Sequence, residues 1–223
     1  MATLDNIYGK YVRNREEILN QLETLYNQES VHYVITKIGG IGDTLAALPV
    51  MQALEEEWPQ SRGWMIVRDS MEMDKLLADQ PISTIEISKG KGVSGFRNNW
   101  KSISDTLNRS VDLYIDLTQS FRSLYFSSFV DATLSLGFKW HGVHRWFLDL
   151  AVDRAYTKFE GDTFLDVPRM IGLDRDVSIS SFKPPSSSRK GYEDWLRAKG
   201  LAETGEFLVL NPGARTVNKR WGL

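Results

Sequence analysis

The stretch 31–58, VHYVITKIGGIGDTLAALPVMQALEEEW, constrains the fold more than any other part of the chain. Val31, Tyr33, Val34 and Ile35 form a short β-branched and aromatic run, the pattern of a strand. It runs into Gly39-Gly40-Ile41-Gly42 and then Asp43, after which Ala47, Val50, Met51, Leu54 and Trp58 recur at helical spacing. Strand, glycine turn and helix in that order predict an α/β unit, and open α/β sheets bind ligands at the carboxyl ends of their strands. The glycines allow a tight backbone that exposes its N–H groups, and a helix start adds a partial positive charge at the same place. Asp43 then stands at the mouth of a site. Two readings of it stay open on these residues: a helix cap, which needs no chemistry, or a group that acts on a ligand. The loop is neither common nucleotide loop. Gly40 and Gly42 make G-x-G, but Leu45 occupies the third glycine's place, and no Gly-Lys-Ser/Thr follows.

The rest of the first two-thirds alternates in the same way, which predicts a mainly parallel sheet over about residues 31–138. Strands are expected at 64–67, 82–87, 111–117 and 133–138, and helices at 13–28, 71–77, 98–108, 121–130 and 161–173. Residues 111–117 are nearly continuous in apolar character, as in a buried parallel strand, with Asp116 near the carboxyl end. Residues 89–95, KGKGVSG, read as a solvated loop, with contact to a phosphate as the alternative. Residues 139–153 carry His141, His144 and Arg145 with no carboxylate partner set by spacing, so these histidines read as ordinary core or surface residues.

Beyond this, SISSFKPPSSS at 178–188 reads as a linker, because tandem proline between serines disfavours regular structure. Tyr192, Trp195 and Leu196 then mark a helix stopped at Gly200, and 207–210 a strand followed by Asn211-Pro212-Gly213-Ala214. The expected organisation is an N-terminal helical extension (1–30), a Rossmann-like domain (31–177), the linker (178–188), and the beginning of a second, incomplete domain (189–223). With 27 basic and 29 acidic residues, net charge −2, a broad nucleic-acid footprint is not expected. The chain has no cysteine, and His32, His141 and His144 are poorly spaced for zinc, so neither a disulfide framework nor a metal site is expected. No apolar run is long enough to span a bilayer and the first residues lack a signal peptide's apolar core, so the expected location is the cytoplasm.

Three segments in order resemble one family. Lys37-Ile38-Gly39-Gly40-Ile41-Gly42-Asp43 with Leu48-Pro49 is similar to the opening loop of the family 9 glycosyltransferases, the lipopolysaccharide heptosyltransferases. Tyr114-Ile115-Asp116-Leu117 with Phe121-Arg122-Ser123 resembles the family's internal strand and helix, and Leu210-Asn211-Pro212-Gly213-Ala214 with Lys219-Arg220-Trp221 resembles the start of its second domain. Two departures stand out: Thr118-Gln119-Ser120 replaces the usual glutamine and glycine, and Phe159-Glu160-Gly161-Asp162 stands where a histidine is usual. The resemblance implies a GT-B fold, two Rossmann-like domains facing across a cleft. It implies inverting transfer of a heptose or related sugar from a nucleotide sugar such as ADP-heptose to a lipopolysaccharide core acceptor on a lipid A anchor, without metal or other cofactor. The protein would then work at the membrane surface, as a peripheral protein of the inner membrane. It makes Asp43 the candidate general base and Gly39, Gly40, Gly42, Arg122 and Arg145 the acceptor side. Lys219 and Arg220 become candidates for the donor's diphosphate. The family's nucleotide-binding half continues beyond the Lys-Arg-Trp motif, so this sequence is expected to lack a C-terminal half and to be inactive alone. The competing expectations are a non-catalytic sugar- or phosphate-binding remnant of such an enzyme, and an unrelated nucleotide-dependent oxidoreductase, against which the absent third glycine argues.

Overall fold

The computed structural model describes residues 11–69, 72–88, 92–107, 110–174 and 184–201. The chain divides into two units, Met1–Lys183 and Pro184–Leu223. In the first, β1 (Tyr11–Val12), β2 (His32–Thr36), β3 (Arg62–Arg68), β4 (Ile82–Ile87), β5 (Val111–Asp116), β6 (Ala132–Phe138) and β7 (Leu150–Val152) form one sheet in the order β1-β7-β6-β5-β2-β3-β4. Every pairing is parallel except β1 with β7.

Alternate residues of each strand serve the two faces. Tyr33, Ile35, Met65, Val67, Leu113, Ile115, Leu134, Leu136 and Phe138 join one core. Val34, Trp64, Ile66, Ile85, Ile87 and Tyr114 join the other. The first face is covered by α1 (Arg15–Tyr26), α3 (Leu48–Glu57), α4 (Met73–Leu76) and α7 (Glu160–Arg169), which contribute Ile18, Leu22, Met51, Leu54, Met73, Phe164 and Val167. The second is covered by α5 (Gly92–Leu107) and α6 (Phe121–Ser127), through Ile103, Leu107 and Phe126. A parallel sheet covered on both faces is the doubly wound arrangement that the strand–helix alternation predicts. In the second unit α8 (Ser186–Ala198) ends at Lys199, and Gly200 follows at φ 68, a left-handed stop of the kind glycine favours.

Four details differ from the sequence reading. The helix after the glycine loop is interrupted: α2 (Ile41–Leu45) is a single turn, and α3 restarts at Leu48 with Pro49 in its first turn. Proline has no N–H to continue the helix but fits a first turn well. The helix expected from 98 begins at Gly92, and Asn99 ties it down by accepting from the Ser88 N–H at 2.9 Å and donating to the Ser88 carbonyl at 3.2 Å. Ser186–Ser188, expected in the linker, form the first turn of α8. Finally, β1 and β7 were not visible as strands. At two and three residues they are too short for any period to show, and they form because each finds the other's edge.

Candidate functional site

Because the chain adds β3 and β4 on one side of β2 and then returns to place β5 on the other, the connections leaving β2 and β5 go to opposite faces. The crevice between their carboxyl ends is the switch point at which open α/β sheets hold ligands. Thr36 lies opposite Asp116 here. The two strand ends are joined further by Leu117 N–H donating to the Thr36 carbonyl at 3.0 Å and by Ile38 N–H donating to Thr118 Oγ1 at 2.8 Å.

Asp43 sits in the third residue of α2, not at its cap, and is exposed. Its Oδ2 accepts the Gly40 N–H at 2.8 Å, the backward half of a capping box. Gly39 makes that turn possible: a Cβ at this position would lie 2.6 Å from Asp43 Oδ2 and 2.7 Å from Asp43 Cβ. A Cβ at Gly42 would meet nothing within 4 Å. Gly39, Gly40, Gly42 and Asp43 are therefore brought together, with Gly39 serving the carboxylate's approach.

Below them lies Lys37, a residue the sequence reading used only as part of a motif. Its side chain is 6% exposed. The ammonium donates to the Leu117 carbonyl at 3.5 Å, stands 3.8 Å from Glu160 Oε1, and lies 4.5 Å from the centre of the Phe164 ring. Burial pushes its pKa down, the carboxylates of Asp43, Glu160 and Asp116 pull it back up, and the Arg154 guanidinium adds to the lowering. Glu160, at the start of α7, also pairs with Arg154. Arg154 in turn lies over the rings of Phe138, Tyr156 and Phe164 and donates to Gln119 Oε1 at 3.4 Å. Thus Glu160, from the segment that departs from the family's usual histidine, bridges a lysine and an arginine from opposite ends of the domain's sequence. The lone signals for these residues were a lysine at the end of an apolar strand and an acid where a histidine was due.

Asp116 is fully buried. It accepts from the Thr118 N–H at 2.8 Å and from Ser123 Oγ at 2.9 Å. Burial still dominates and raises its pKa to about 6, against the lowering by those donors and by Lys37. Gln119, next in the turn, adopts φ 58 and donates its amide to the Lys139 carbonyl at 2.8 Å. A non-glycine in the left-handed region is uncommon, and here it stands in the turn where the family usually has a glycine.

The other predicted residues lie elsewhere. Arg122 on α6 donates to the Ser88 carbonyl beyond β4 and lies over the Phe126 ring. Arg145 is exposed, with its guanidinium over Tyr11 of the edge strand β1. No contact among the described residues joins either to Asp43. Lys219 and Arg220 lie outside the described residues, as do the strand at 207–210 and the loop after it. His144 is buried and accepts the Trp140 N–H on Nδ1 at 3.1 Å. Burial lowers its pKa, consistent with a satisfied neutral core histidine. Among the described residues no group of three or more His, Cys, Asp or Glu could hold a metal ion, and no helix is long and apolar enough to cross a membrane.

An exposed carboxylate on a glycine turn thus stands near a buried lysine at the switch point of a doubly wound sheet. The chain superposes on a family 9 glycosyl transferase from Veillonella parvula with a TM-score of 0.71 at 18% identity, covering 86% of this chain and 56% of that one. It superposes on Escherichia coli heptosyltransferase WaaC with ADP at a TM-score of 0.59 and 13% identity, covering 86% and 61%. In sequence it is 27% identical over 207 residues to the lipopolysaccharide core heptosyltransferase OpsX of Haemophilus influenzae, a match spanning 82% of this chain and 58% of that protein. No protein-family model matches. The chain is thus glycosyltransferase-like and similar to the family 9 heptosyltransferases, as its motifs imply, and it spans less than two-thirds of the relatives it matches.

Proposed function

We propose that this chain provides the acceptor-side half of a heptosyltransferase. The enzyme transfers a heptose or related sugar from a nucleotide-sugar donor, ADP-heptose in kind, to a lipopolysaccharide core acceptor, with inversion and without metal. The observation that carries the reading is the placement of Asp43: exposed, on a glycine turn, at the switch-point crevice, with one oxygen steadied by the Gly40 N–H and Oδ1 without a hydrogen bond among the described residues. A carboxylate so placed accepts the proton of an acceptor hydroxyl as that oxygen attacks the anomeric carbon. The C–O bond to the diphosphate breaks on the opposite side, and the departing diphosphate keeps the electron pair. The buried ammonium of Lys37 stabilises the carboxylates around it before attack. Lys219 and Arg220 are the candidates for the leaving diphosphate, and Gly39, Gly40, Gly42, Arg122 and Arg145 for the acceptor.

Catalysis in a two-domain transferase depends on aligning two substrates across a cleft, so residues 1–223 alone are expected to turn over little or no ADP-heptose. The test is a transfer assay on the full encoded protein with ADP-heptose and a core acceptor, comparing wild type with Asp43→Asn. Loss of product with folding and acceptor binding intact supports the general base. The anomeric configuration of the product reports inversion, and an unchanged rate in EDTA reports metal independence. Binding of acceptor with no transfer by the wild type would favour a non-catalytic sugar-binding remnant instead.

A further inference from the structure

Glu160 has no part in the transfer step, yet one of its oxygens is tied to both sides of the crevice. It stands in the first turn of α7 with its side chain 35% exposed. Its Oε1 lies 3.8 Å from the Lys37 ammonium and pairs with the Arg154 guanidinium as well. Lys37 belongs to the turn after β2. Arg154 reaches the turn after β5 through Gln119 Oε1, which also accepts the Tyr156 hydroxyl at 3.0 Å. The start of α7 is itself fixed: Thr163 donates its hydroxyl to the Ala155 carbonyl at 2.9 Å and its N–H to the Phe159 carbonyl at 3.0 Å. Arg154 is clamped against the rings of Phe138, Tyr156 and Phe164, so the oxygen it shares with Lys37 is held from two directions.

The charged groups that face the Lys37 ammonium are Asp43 from α2, Asp116 from the end of β5, Glu160 from α7 and Arg154 from the segment after β7. Among the described residues Glu160 is the carboxylate that forms an ion pair with it. The other two differ in their freedom to replace it. Asp116 is fully buried, with Oδ1 taken by the Thr118 N–H and Oδ2 by the Ser123 hydroxyl. Asp43 is exposed on a one-turn helix, with Oδ2 on the Gly40 N–H and Oδ1 without a hydrogen bond among the described residues. A buried ammonium requires a paired anion. Without the charge of Glu160, the carboxylate that can turn toward Lys37 is Asp43.

We propose that Glu160 is a positioning residue for the base: its carboxylate holds the Lys37 ammonium and so leaves Asp43 Oδ1 open to the acceptor hydroxyl. The inference rests on the reading of Asp43 as the base. A carboxylate paired with a buried ammonium is a weaker base, and its oxygens point into the protein instead of into the crevice.

The test has two readouts. In the 15N-labelled 223-residue chain, the Gly40 amide resonance reports the hydrogen bond to Asp43, and Asp43→Ala marks its position when that bond is absent. Glu160→Gln should move the resonance toward that position, because Lys37 then draws the carboxylate off Gly40. In the Lys37→Met background, Glu160→Gln should move it no further. Glu160→Asp, which keeps the charge, should stay near wild type, and it decides the matter if Lys37→Met does not fold. In the full encoded protein, Glu160→Gln should lower kcat roughly tenfold to a hundredfold with little change in acceptor KM. In the Lys37→Met background it should lower kcat no further. Circular dichroism checks the fold of each variant. The proposal is overturned if the Gly40 resonance stays in place in Glu160→Gln, or if it moves as far in the Lys37→Met background, the mark of a merely structural ion pair at the start of α7. It is also overturned if Glu160→Asp moves it as far as Glu160→Gln does, or if Glu160→Gln keeps the kcat of an active wild type. A Lys37-dependent movement of Gly40 with no transfer by the wild-type full protein would leave the hold of Glu160 on Lys37 standing while the reading of Asp43 as the base falls.

Discussion

Two connections of the same local design flank the switch point, and they put their acids to opposite use. Each is a strand, a tight turn and a helix, and each carries an aspartate. After β2, glycines build the turn, the helix is a single turn, and Asp43 is exposed with one backbone donor. After β5, serines build the turn: Ser120 caps α6 by accepting the Ser123 N–H at 3.1 Å, Ser123 donates to Asp116, and Asp116 is fully buried. The exposed carboxylate can reach a ligand, whereas the buried one holds the turn and faces Lys37. Burial, rather than residue type or local motif, separates the proposed reacting group from a group that holds a turn, because removing water changes both a carboxylate's pKa and its access.

The comparison breaks first on Asp43→Ala. In the full encoded protein it is expected to lower kcat by roughly 10² to 10⁴, the usual contribution of a general base, while Asp116→Asn stays within about tenfold of wild type on the same scale. Steady-state kinetics on the two variants decides it, and near-equal losses would erase the distinction between the turns.

Gly39→Ala should follow, with a loss of roughly tenfold to a hundredfold in kcat/KM, because the new Cβ displaces the Asp43 carboxylate and small misplacements of reacting groups are costly. Its melting temperature should fall little. If activity survives, the carboxylate does not need the Gly40 anchor.

The buried acid is read through pH. Asp116 has a folded pKa of about 6 against an ordinary 3.8. A raised carboxyl contributes stability that is fully present below about pH 4 and is lost as pH rises through about 6, since the folded state then holds a buried charge. Relative to wild type, Asp116→Asn should therefore gain about 1 to 2 kcal/mol between pH 5 and pH 8. Urea unfolding at the two values checks the sign, and a pH-independent difference would show that the carboxyl titrates normally.

The smallest effect is expected at Gly42, where a methyl group meets nothing. Gly42→Ala should leave the fold as stable, or more so by up to about 1 kcal/mol, as alanine is the better helix former. A rise in acceptor KM without a change in kcat would place the acceptor against this part of the loop.

Much of this was legible in the chain. The apolar strands β2 to β6, the helices between them and the glycine turn follow from periodicity and turn chemistry, and Asp43 stood out because three glycines precede it. Arg154 did not stand out, for it lies in a segment without period, and Glu160 was marked only as an acid where a histidine is usual; their roles come from partners such as Lys37 and Gln119, far away in sequence. The interruption between α2 and α3 was signalled by Pro49, which an apolar stripe running through it disguised.

By itself, the sequence determined which of the longer segments would be strands and helices, since alternating and helical patterns of apolar residues are local. It also determined that the β2 turn could bring Asp43 to its own backbone, since only glycine at 39 leaves room. Only the tertiary structure decided the strand order, and with it the switch point between β2 and β5. It alone buried Lys37 and Asp116 and brought Glu160 to a lysine 123 positions earlier in the chain. Those outcomes depend on which surfaces exclude water together, a property of the assembled sheet and helices that no single segment carries.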